Sequence, residues 1–264
     1  MQTDQEQAKE LLWGVTKELL SPSGRLFTIR EQNGDDDDLL SNGVLQKDLS
    51  NQNRFIQSIV IKADTPSGLL TNADMDNMLL KDKYFLMFAS RIHSMGPIVD
   101  FTYDWKTDGG LMEYDDDISK YIWDYSKEFP TKGSEDYFEY RMEPYTADAN
   151  SIHEITLDSG KKLTFECLKV KDEKLMLKLD KNQLTINREI LQRNLKLKMP
   201  NGEFTKVQNF RFFSKKDMMQ IHKAMNQIDS PFAPLTKIES PKEGVYPVYF
   251  PIITSPHFFF PEEI

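Results

Sequence analysis

Apolar positions are densest between residues 71 and 105, and their spacing changes character once, at Gly96-Pro97. Before that point the spacing is helical. On a wheel of 100° per residue, Met75, Met78, Leu79, Phe85, Leu86 and Ala89 share one arc, and Leu80, Tyr84, Met87 and Met95 share the opposite one. The expected helix is apolar on nearly every side, so it belongs inside a core or between subunits. Thr71 followed by Asp74 has capping-box spacing and sets the start. After Gly96, residues 98–105 alternate as a strand. Asp82 and Arg91 interrupt the apolar helix about 180° apart by the helical period, so they cannot meet. Each is expected to act as a structural anchor held by a different neighbour, residues 51–63 on one side and the strands after Gly96 on the other, with Gly96 itself a third structural anchor.

The remaining pattern is more broken. Leu11, Leu12, Val15 and Leu19 predict an amphipathic helix over residues 5–20, stopped by Ser21-Pro22-Ser23-Gly24. Residues 26–30 predict a strand. The run Asp35 to Asp38 reads as a solvated loop, with a divalent-cation site as the alternative, although the spacing and glycine of a calcium loop are missing. Phe55, Ile56, Ile59 and Val60 share a face, predicting a helix over residues 51–63 that packs on the central one. Aromatic-rich pieces at 101–105, 111–114, 118–125 and 138–145 predict strands joined by turns. Ile155 and Leu157 before Asp158-Ser159-Gly160, and Leu163, Phe165 and Cys167 after it, predict a hairpin. Residues 180–199 fit helix and strand equally.

Ser214 with Asp217 repeats the capping box, and Met218, Ile221, Met225 and Ile228 form one stripe of a helix over residues 214–228, read as core packing ahead of an adaptable groove. Seven prolines from Pro231 to Pro261 then exclude helix and central strand. The tail ends on Phe258, Phe259 and Phe260, each worth about 1.5 to 3 kcal/mol if covered. They are the candidate interface, docked on their own domain or on a partner. Together these elements predict an α+β fold: a helical part over residues 1–97 packed on a β-rich part over 98–213, then a short helix and an extended proline-rich tail over 214–264.

Charge and composition narrow the function. A net charge of −9 over 264 residues argues against a nucleic-acid surface. The single cysteine, Cys167, excludes an intrachain disulfide and a zinc site of three or four thiolates, and reads as a small buried hydrophobe. The opening MQTDQEQAKE lacks a signal-peptide pattern, and no apolar run reaches the roughly 18 residues of a membrane span, so a soluble, intracellular protein without membrane contact is expected. Four scattered histidines make no metal motif, and no glycine-rich phosphate loop or nucleophile elbow occurs. No catalytic, cofactor-binding or metal residue is assigned, and no cofactor is expected.

The pattern LSN…NRFIQSIVI…LLKDKYFLMFASRIHSMGPIVDFTYDW resembles the T-even-type phage baseplate hub assembly family. In that family a helix bearing an Asp ends in R-I-x-S-x-G and leads into a strand; here these are Asp82, Arg91, Ile92, Ser94 and Gly96. A second likeness is the L-x-S-G-K turn, Leu157, Ser159, Gly160 and Lys161, followed by Lys171-Asp172-Glu173. Many relatives place a CPxC pair after the strand, where this chain has Asp104-Trp105-Lys106, so an inherited zinc site is excluded. The resemblance implies a non-enzymatic phage tail protein, a baseplate hub component or hub assembly chaperone. Its partners would be other baseplate or tail proteins, with homo-oligomers allowed, and its place the host cytoplasm during assembly or the tail baseplate of the virion. A metal-dependent hydrolase using acidic residues is the alternative from another class.

Overall fold

The computed structural model describes residues 14–177, 186–252 and 258–259. Among them are seven helices and eleven strands in small antiparallel sheets, a mixed α+β chain as the pattern predicts. The chain forms two compact units, both discontinuous: Met1–Leu70, Tyr84–Met142 and Phe232–Ile264 make the first, Thr71–Lys83 and Glu143–Pro231 the second. Their limits therefore differ from the divisions at 97/98 and 213/214.

In the first unit, β1 (Thr16–Leu20), β2 (Leu26–Arg30) and β3 (Val60–Ala63) form a three-stranded sheet. The helix expected over 5–20 is corrected at 16–20, and its residues 5–13 lie outside the described ones. Ser21-Pro22-Ser23-Gly24 is a hairpin turn rather than a helix stop. Gly24 takes φ +80°, Ser21 N donates to Arg25 O at 2.9 Å, and Leu19 comes opposite Phe27. Pairing with a distant-in-pattern partner outweighed a weak helical period.

The run of aspartates is also corrected, from loop to helix α1 (Gly34–Ser41). Asn33 caps it in a reciprocal box with Asp36, and three carboxylates lie in the first turn, where the helix dipole favours negative charge. Asp36 is buried and takes both guanidinium nitrogens of Arg30 at 2.6 and 2.9 Å. Helix α2 (Ser50–Ile59) covers only part of the helix expected over 51–63, because Val60-Ile61 pass into β3, where β-branched side chains fit better.

The strands β4 (Ile98–Asp104) and β5 (Leu111–Asp117) pair along their full lengths. Residues 118–121 form a 3-10 turn instead of a strand, since the Asp117 carboxylate accepts from Ser119 N at 2.9 Å and turns the chain. Residues 138–145 contain no strand. The proline-rich segment supplies β10 (Leu235–Ile238) and β11 (Val248–Pro251), a two-stranded sheet in which both strands are edges, where proline is tolerated. Phe88, Val99, Phe101, Tyr121, Ile238 and Phe258 belong to the unit's core. Phe258 is 0% exposed with its ring 5.0 Å from that of Phe88, and Phe259 meets Phe55 edge-on at 5.4 Å. Phe258 is therefore core rather than surface; Phe260 lies outside the described residues.

In the second unit the capping box of Thr71 and Asp74 starts α3 (Asn72–Asn77). The long helix expected from 71 to 95 is two helices. Met78 is extended, with φ −61° and ψ 139°, because the backbone at 168–170 captures it: Val170 N donates to Met78 O, and Leu80 N to Leu168 O, both at 2.9 Å. Helix α4 (Leu80–Met95) follows, its residues 80–83 belonging to this unit and the rest to the first. The predicted hairpin is present as β6 (His153–Thr156) and β7 (Lys162–Phe165), extended by β8 (Lys196–Lys198) and β9 (Phe204–Lys206) into a four-stranded sheet. Helix α5 (Val170–Leu177) follows the hairpin, and the ambiguous stretch 180–199 holds both α6 (Ile186–Gln192) and β8.

Helix α7 (Lys215–Ile228) begins on the second capping box, Ser214 with Asp217. Its Ile221 and Met225 join Leu163, Phe165, Ile190 and Leu195 in the core, so the methionine stripe packs. Asp217 also accepts from Ser159 Oγ at 2.6 Å and Lys161 Nζ at 2.8 Å, fastening the β6–β7 turn to the helix start. The Lys161 hydrogen bond, then that of Ser159, holds its carboxyl well below the usual range.

Candidate functional site

The densest collection of ionisable side chains lies in the second unit, where α4 begins. Lys81, Asp82 and Lys83 are consecutive and all buried, so no single face of a helix can send them to water. Each charge needs local compensation. Lys81 Nζ lies 3.6 Å from Asp229 Oδ1, donates to Glu143 O at 3.1 Å and sits 4.1 Å above the Tyr145 ring. Asp229 also receives an Arg193 guanidinium nitrogen, and Arg193 reaches Glu189 on α6 at 3.2 Å. Lys83 Nζ donates to Glu173 on α5 at 2.6 Å.

Asp229 stands at the C-cap of α7, where the helix dipole opposes a negative charge. The two cations make that position tenable. Burial lowers the pKa of Lys81 against the pull of Asp229, and it lowers that of Lys83 against Glu173. On Arg193 burial works in the same sense, but the carboxylates of Asp229 and Glu189 together outweigh it and the pKa is raised. Burial, then Asp229 and Asp82, keeps the Tyr145 phenol well above its ordinary value.

Asp82 and Arg91, singled out together in the sequence, are not brought together; they belong to different units. Arg91 is 2% exposed and donates to Gly96 O at 2.7 Å and Ile98 O at 2.9 Å. It ties the last turn of α4 to the entry of β4, across a turn that Gly96 makes at φ +82°. Arg91→Ala is expected to cost about 1.5 to 3 kcal/mol, the range for hydrogen bonds to a charged group. A urea midpoint shift below about 0.5 kcal/mol, the scale of ordinary surface changes, would show that this tie is not holding the turn. Lys81 and Lys83 are the residues that the sequence reading passed over. Their signal was the KDK triplet inside an otherwise apolar helix.

Cys167 is 1% exposed, and its Sγ lies 3.8 Å from His153 Nε2. Burial, with Asp229 adding to it, pushes the thiol up to about 12 from an ordinary 9.0. It is a thiol and no nucleophile at neutral pH. Above pH 9 the unfolded chain sheds this proton while the folded chain keeps it, so stability falls from pH 9 towards 12. Cys167→Ala should therefore flatten the decline by up to about 1.4 kcal/mol per pH unit. Urea melts between pH 8 and pH 10 read this directly: a wild-type-minus-variant difference that stays constant with pH contradicts the assignment.

Chemically, this cluster is closed. Among the described residues no group of three or more His, Cys, Asp or Glu side chains is placed to hold a metal ion. No helix among them is long and apolar enough to cross a membrane. Open space occurs elsewhere in the same unit, as a cavity of about 620 Å³ lined by apolar residues such as Met199, Val207 and Phe212 together with Lys161, Lys198 and Lys206. Phe212 is 72% exposed. No protein-family model, curated protein or solved structure matches the chain, so the functional reading rests on its own residues.

Proposed function

We propose that this chain is a non-enzymatic phage tail protein, a baseplate hub component or hub assembly chaperone that works by contact with other baseplate or tail proteins. The observation that carries the proposal is the division between its charged interior and its surface. The ionisable side chains gathered at the start of α4 are buried and engaged with one another, whereas the open cavity exposes apolar side chains such as Met199 and Phe212. Such a surface suits binding rather than turnover. The motif around Asp82, Arg91 and Gly96 supports the same reading.

In this proposal the helix-rich stretch to residue 97 is a scaffold for the β-rich middle, and the proline-punctuated end packs back on its own unit. The protein acts in the host cytoplasm during assembly and, if it is a subunit, stays in the tail baseplate. Deleting the gene from the genome that carries it is expected to leave particles without complete baseplates; normal, infective tails would overturn the proposal. Mass spectrometry of purified particles then separates a subunit, which remains, from a chaperone, which does not.

A further inference from the structure

Two sheet faces carry like charges directly opposite one another, and the two are of opposite sign. In the second unit, strand alternation puts Ile155, Leu163, Phe165 and Leu195 on the core side of the sheet. The other side carries Glu154 on β6 in an ion pair with Lys162 on β7, then Lys196 and Lys198 on β8, and Phe204 and Lys206 on β9. Lys196 and Lys206 are cross-strand partners. In the first unit, Val99 and Phe101 of β4 face the core, and the other side of the hairpin carries Asp100 and Asp104 on β4 and Glu113, Asp115 and Asp117 on β5. All five are exposed, and Asp100 and Asp115 are cross-strand partners.

Like charges directly opposite destabilise a sheet, and one such pair on each face is a standing local cost in the free chain. Among the described residues none of the five carboxylates is in an ion pair, nor are Lys196, Lys198 or Lys206. Each face also exposes apolar side chains: Ile98 and Leu111 on the acidic one, Phe204 on the basic one. Each thus offers what the other lacks.

We infer that the basic β7–β8–β9 face of one copy of this chain docks on the acidic β4–β5 face of a second copy. The charge complementarity is contained in the chain itself, and a lysine row in a protein of net charge −9 is otherwise unexplained. Because every copy carries both faces and the two are different, the contact is head-to-tail, closing as a ring or continuing as a filament. The acidic hairpin is about 23 Å long by strand rise and only two strands wide, so the contact is small and sensitive to salt. This inference does not depend on the phage reading.

The experiment is sedimentation velocity of the full chain over a range of concentrations, at low and high salt. The wild type should associate at low salt and dissociate at high salt. Lys198→Glu with Lys206→Glu, and separately Glu113→Lys with Asp115→Lys, should each weaken association about tenfold or more, since every exposed ion pair contributes a factor of up to about five. An equimolar mixture of the two variants should regain it, because the unaltered acidic hairpin of one meets the unaltered basic sheet of the other, and the acidified sheet meets the basified hairpin. Regain also proves that both variants are folded. Monomers at every concentration, association that survives either charge reversal, or a mixture that stays apart while both variants keep wild-type circular dichroism would each overturn the inference.

Discussion

Replacing Asp229 by alanine is expected to destabilise the second unit by about 3 to 5 kcal/mol, the range for removing one partner of a buried ion pair. The carboxylate serves Lys81 and Arg193 at once and also accepts from Leu168 N at 3.4 Å, so three elements lose their common acceptor. Both cations remain buried after the substitution. Set against a typical domain stability of about 5 to 15 kcal/mol, such a loss threatens folding itself. Urea melts followed by circular dichroism and by tryptophan fluorescence locate the damage, because residues 71–83 and 143–231 of the second unit contain no tryptophan, whereas Trp105 and Trp123 belong to the first. A dichroism transition that moves ahead of the fluorescence transition places it in the second unit. A dichroism midpoint unchanged to within about 0.5 kcal/mol would remove Asp229 from the centre of the network.

Glu173→Ala is expected to cost nearly as much, about 3 to 5 kcal/mol, by taking the carboxylate from a fully buried Lys83. The informative comparison is with the double replacement Lys83→Met with Glu173→Leu, which exchanges both charges for apolar side chains of similar length. That protein should be close to wild type in stability or above it, since neither ion then has to be taken out of water on folding. A double variant as unstable as Glu173→Ala would mean that the pair stabilises the unit by more than its desolvation costs. The pair fits a role in specificity: it fixes the first turn of α4 against α5 more narrowly than apolar contacts would.

Local signals in the sequence were legible, and signals set by distant partners were not. Thr71 with Asp74, Ser214 with Asp217, and the turn at residues 158–160 each satisfy their hydrogen bonds within a few residues, so spacing alone finds them. The strand at residues 16–20 depends on β2 across a turn, and its apolar residues also satisfied a helical period. The break after α3 depends on residues 168–170, about 90 positions away, whose backbone intercepts Met78 and Leu80. Arg91 was singled out in the sequence, and its acceptors, Gly96 and Ile98, lie just beyond it. Lys81 and Lys83 were not, since Asp229 and Glu173 are remote in sequence and an exposed lysine is the ordinary expectation.

The discontinuity of the units sets an order on the ribosome. The second unit is complete once residue 231 has emerged, while the first still lacks Ile238, Ile252 and Phe258 from its core. A nascent chain therefore carries one finished body and one unfinished, with Phe88 waiting for its later aromatic neighbours Phe232 and Phe258. Any premature stop between residues 231 and 258 would release apolar surface rather than a smaller stable protein.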